Sequence, residues 1–119
     1  MASTKEISDF VSELSKTLKQ LNFTQEAGSS YKDGYLFSRD GDTFHMCFSM
    51  EIQNAMPDSF KAALRSNGRE VSGQIEIIYA KNLSEAEKAE IDKVIEKYEK
   101  QLQDINIVQI DNSSKIKQS

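Results

Sequence analysis

Apolar side chains recur at helical spacing near both ends of this chain and at strand spacing between them. Ile7, Phe10, Val11, Leu14, Leu18 and Leu21 predict an amphipathic helix over about 4–21, ending near Asn22. Ser3 and Glu6 fit a capping box at its start. Ile91, Val94, Ile95, Tyr98, Leu102 and Ile105 predict a second long helix over about 84–104, opened by Ser84 and Glu87 in the same arrangement. Glu96 and Lys100 on its outer face are placed for a favourable i,i+4 pair.

Between these helices the period drops to two. Tyr35–Arg39 and Asp42–Met46 flank Asp40-Gly41, a dipeptide that tolerates the positive φ both central residues of a type I′ turn require. A two-residue turn puts Phe37 opposite Phe44 and Tyr35 opposite Met46. The alternation runs on through Phe44, Met46, Phe48, Met50 and Ile52 on one side, with Thr43, His45, Cys47, Ser49 and Glu51 on the other. Val71, Ile75, Ile77 and Tyr79 alternate again, with Gly73 in their row, and predict a further long strand. Short strands are expected at 23–26 and 107–110, and a loop at 27–30. Pro57 suits the first turn of a short helix with Phe60, Ala63 and Leu64 on its apolar stripe and Asn67-Gly68 as its C-cap.

These elements predict an α+β domain: an antiparallel sheet of about four strands, with two long amphipathic helices packed on one face and one short helix. One globular domain over 1–110 and a polar, frayed tail over 111–119 are expected. The order of elements resembles that of small acidic secretion chaperones, which also combine a three-stranded meander with flanking helices. That resemblance is architectural and carries no residues, and the single clear strand between the second and third helices departs from it.

Composition narrows the function classes. Of 119 residues, 29% are charged and the net charge is −4, without the basic stripe a nucleic-acid binder or an anionic-lipid surface demands. No apolar run reaches the roughly 20 residues of a membrane span, and Met1–Phe10 lacks the apolar stretch of a signal peptide. One cysteine cannot form an internal disulfide, which favours a reducing, cytoplasmic setting. In such a setting the Asn-x-Ser/Thr patterns at Asn22, Asn82 and Asn112 have no meaning; in a secreted chain they would be glycan sites.

The chemistry-bearing residues are few. His45 and Cys47, the sole His and Cys, share one face of a strand. At i and i+2 they project about 6.5–7 Å apart, too far for direct proton transfer, although Thr43, Ser49 and Glu51 could join them in a polar network. Two ligands fall short of a metal site. Asp40 and Asp42 are too few for a calcium loop, and the remaining glycines form no phosphate-binding pattern. No catalytic residue, metal or cofactor is therefore assigned. Phe44, Met46, Phe48, Met50 and Met56 could line an adaptable groove, but period-two alternation points first to a core. On the opposite face Leu36, Cys47, Ile78 and Ala80 interrupt a polar pattern beside Ser72, Gln74 and Glu76.

The expectation is a non-enzymatic protein-binding module (an adaptor, chaperone, inhibitor or regulatory subunit) using an open sheet face or strand edge. Its binding residues would be Leu36, His45, Cys47, Gln74, Glu76 and Ile78. Its partner would be another protein or a second copy of the chain, with neither nucleic acid nor membrane. The alternative is a small-molecule binder or small enzyme with a pocket near His45, flanked by Tyr35 or Tyr79.

Overall fold

In the computed structural model, residues 2–29, 33–65 and 70–111 are described. The elements in chain order are α1 (Thr4–Gln20), β1 (Thr24–Gln25), β2 (Gly34–Arg39), β3 (Asp42–Phe48), α2 (Met50–Ala55), α3 (Phe60–Arg65), β4 (Gly73–Ile78), α4 (Glu85–Glu99) and β5 (Ile105–Ile110). Both capping boxes form. Ser3 Oγ accepts the Glu6 N–H at 3.2 Å and Ser84 Oγ accepts the Glu87 N–H at 3.1 Å, while each glutamate carboxylate accepts the cap residue's own N–H. Four orphan donors are thus satisfied at two helix starts.

The strands form one five-stranded sheet in the order β1-β2-β3-β4-β5. The β2–β3 hairpin pairs Phe37 with Phe44 and Tyr35 with Met46, the register the Asp40-Gly41 turn dictates. Asp40 at φ 51° and Gly41 at φ 79° supply the two positive angles. β3 pairs antiparallel with β4, whereas β4 pairs in parallel with β5.

The sheet is mostly antiparallel, roughly as expected of an antiparallel sheet of about four strands; the fifth strand and the parallel β4–β5 pair are the departures. α4 is the crossover of a β–α–β unit, and a connection of that length is what parallel neighbours need. The second long helix accordingly stops at Glu99, not near 104. The β-branched run from Ile105 gains more by pairing with β4 than by extending a helix, so β5 is six residues long. Lys97 rather than Lys100 carries the ion pair, its Nζ 2.9 Å from Glu13 Oε1 on α1.

β3 also ends earlier than its alternation suggests. Ser49 turns the chain, and Met50–Ala55 is helical, so there are two short helices and not one. Met50 leaves the apolar row and is 61% exposed, while Ile52 remains buried because α2 packs on β4, where Ile52 stands against Gly73. Asn67-Gly68, the expected cap of α3, lies outside the described residues, as do Asn112 and the tail beyond Asp111.

One face of the sheet carries the core. Phe37, Phe44, Met46, Phe48, Ile75 and Ile77 are buried against Ile7, Phe10, Val11, Leu14 and Leu18 of α1 and Ile91, Ile95 and Tyr98 of α4. Phe10 and Tyr98 meet with ring centroids 5.3 Å apart, joining the two long helices. The Phe–Met group therefore serves as core, apart from Met50.

Candidate functional site: the open face of the sheet

Strand alternation sends the other residue set away from the helices. The register brings Leu36, His45, Ile78 and Ile110 into one row across β2, β3, β4 and β5, through the pairs Leu36–His45, His45–Ile78 and Ile78–Ile110. The next row runs Gly34, Cys47, Glu76 and Val108, and beyond it Gln74 pairs with Asn106. Directly opposed side chains on such a ladder stand about 5 Å apart, so each row is a continuous strip. Leu36, His45, Cys47, Glu76, Ile78, Val108 and Ile110 are all half-buried, while Gln74 and Asn106 are exposed. Glu76 is the only formally charged side chain in these rows, in a chain of which 29% is charged.

All six residues anticipated for binding lie on this face, and Val108 and Ile110 complete it. Those two went unnoticed because their place depends on the parallel β4–β5 pairing, which no local pattern announces. Ala80 does not belong here. The chain leaves β4 after Ile78, and Ala80 turns into the core with 1% of its surface exposed. Ser49 and Glu51 are absent too. Ser49 Oγ accepts the Gln74 N–H at 3.1 Å, and Glu51 lies on α2, so neither extends a polar network from His45.

The reactive potential of the face is low. Burial, reinforced by the Glu76 carboxylate, pushes the Cys47 thiol up from its ordinary value and disfavours the nucleophilic thiolate. Tyr35 and Tyr79, expected beside His45, sit on the opposite side of the sheet. Tyr35 pairs with Met46 in the core-facing row, and the Tyr79 ring lies 5.5 Å from that of Phe44. Among the described residues no three His, Cys, Asp or Glu side chains cluster to hold a metal ion. No helix among them is long and apolar enough to cross a membrane.

Two polar clusters on the helix side are structural in geometry. Tyr79 donates its hydroxyl hydrogen to Asp92 and accepts from Gln109 Nε2 at 2.8 Å, tying β4, α4 and β5 together. Burial first, and then the Asp92 bond, raises its pKa and keeps it protonated. At the hairpin tip the Asp42 carboxylate accepts the N–H groups of Lys81 and Asn82 at 2.9 and 2.8 Å, so its oxygens are already engaged.

No protein-family model, no curated protein and no solved structure matches the chain. What it can do is decided by its own geometry.

Proposed function

We propose that this chain is a non-enzymatic protein-binding module whose contact surface is the open face of its sheet, and that a second copy of the chain is the occupant this face fits. The observation that carries the reading is the Leu36–His45–Ile78–Ile110 row, an apolar-rich strip four strands wide on the face the helices leave uncovered. Interface centres are depleted in charge relative to the rest of a protein surface, and these rows hold one acid.

A second copy suits that character. Sheets stack about 10 Å apart with their helices outward, giving a four-layer α/β/β/α sandwich around a two-fold axis. Each copy then shields the other's Leu36, Ile78, Val108 and Ile110, and Glu76 is the single acid each contributes. Four strands at about 4.8 Å spacing and six residues at about 3.3 Å make a patch of roughly 400 Å² in projection. That is small for a permanent pair, so a weak, concentration-dependent association is expected.

Sedimentation velocity over a hundredfold range of concentration tests this. The expected result is a reversible monomer–dimer equilibrium that Ile78→Lys abolishes without loss of helical circular dichroism, since Ile78 is half-buried. Lys93→Glu, on the outer face of α4, leaves the equilibrium unchanged. A monomer at every concentration contradicts the homodimer, and undiminished association of the Ile78→Lys protein contradicts the face.

A further inference from the structure

Ser12, Ser15, Lys16 and Lys19 stand at i, i+3, i+4 and i+7 on α1, one stripe of the helix beside its apolar face. This stripe forms one wall of an open cleft of about 560 Å³ that is also lined by Gln25 of β1, Tyr35 of β2 and Phe60 of α3. The volume falls within the range of pockets that hold small molecules. The cleft is at the β1–β2 end of the sheet on the helix side, remote in topology from the open face.

Two features give it a chemical character. The first is charge. Lys16 and Lys19 line it with no carboxylate among its described lining residues, although acids outnumber bases in the chain. No ion pair or hydrogen bond engages either lysine side chain. The second is an apolar side: Tyr35 and Phe60, both half-buried, offer a surface that free phosphate or a metal ion cannot use.

We infer that this cleft binds a small organic anion, with a ring or short apolar body against Phe60 and Tyr35 and a carboxylate or phosphate head beside Lys16 and Lys19. The lysine ammonium groups act as point charges and accept either head.

The test is amide-resolved NMR titration of the full chain with phenyl phosphate, 3-phenylpropionate, the neutral 3-phenyl-1-propanol and inorganic phosphate. At least one of the two organic anions is expected to give saturable shifts centred on the amides of Val11–Gln20, Gln25, Tyr35 and Phe60, and their ranking identifies the preferred head. The alcohol and inorganic phosphate bind at least tenfold more weakly. The double substitution Lys16→Gln, Lys19→Gln alters exposed groups only, so the protein keeps its melting temperature while affinity falls at least tenfold. Ile78→Lys, on the other face, leaves it intact. The proposal is overturned if neither anion saturates below 5 mM. It is overturned equally if the alcohol or inorganic phosphate binds as well as the organic anions, or if the double variant binds as tightly as the parent.

Discussion

At Arg39 one guanidinium joins the hairpin, the end of α1 and the start of α4. Its Nη1 donates to Leu21 O at 2.8 Å and to Glu87 Oε2 at 2.7 Å; Nη2 donates to Glu87 Oε1 and Asn82 O, both at 3.2 Å. The same group lies 4.5 Å from the centroid of the Phe23 ring. Hydrogen bonding from Arg39 is the main reason the Glu87 carboxyl is lowered from its ordinary value of 4.5 to about 2. Because the folded pKa is the lower one, this contribution is complete above about pH 4.5 and is lost as the pH falls towards 2. Arg39→Ala is expected to cost about 1–2 kcal/mol at neutral pH, with allowance for the solvent that reaches the pair. It should also flatten the acid limb of the stability curve between those values. Chemical denaturation from pH 2 to 7 checks this; parallel curves for the two proteins would contradict it. No local pattern pointed to Arg39, because its partners lie 18 to 48 residues away. His45 and Cys47 are the opposite case. Strand parity alone placed them together on a polar-patterned face, and that is where they stand.

At the scale of elements, what was legible depended on how local the cause is. Two capping boxes and one Asp-Gly turn each act within a few residues, and each formed with the expected partners. The β3–α2 junction was misread because Phe48, Met50 and Ile52 continue a period of two while Phe48 and Ile52 also fit one helical turn. Gly73 explains how that junction is packed. It holds φ at +151°, and an added Cβ would stand 2.6 Å from Ser49 Oγ and 2.9 Å from Cγ1 of the fully buried Ile52. Ile52 has no room to yield in a close-packed interior. Gly73→Ala therefore combines backbone strain with overpacking and is expected to cost about 2–4 kcal/mol, lowering the melting temperature by roughly 10 °C or more. Differential scanning calorimetry reads this directly, and a shift under about 2 °C would show that α2 does not press on β4 there. The parallel β4–β5 pair was beyond sequence patterning for a different reason. An amphipathic helix followed by an Ile-rich run fits an antiparallel return as well as a crossover, and only the packing of α4 on the core decides between them.

At the scale of the molecule, the helices gather on one side and leave the other side of the sheet to its own side chains. That asymmetry gives the chain its two candidate surfaces: an apolar-rich face with a single acid, and a cleft with two lysines. The first was half legible, since β2, β3 and β4 show their parity in the sequence while β5 hides its place. The second was not, because α1 reads simply as a helix with serines and lysines off its apolar stripe until β1, β2 and α3 are folded against it. The face also contains its own reporter, because Cys47, the sole cysteine, lies beside Glu76 in its second row. The most direct measurement of the central claim is the rate at which Cys47 reacts with a thiol reagent at pH 8, taken from 1 to 200 µM protein. If a second copy covers the face, the rate per thiol falls as the dimer fills, and Ile78→Lys removes that dependence. A rate that stays the same at every concentration would contradict the proposed contact surface.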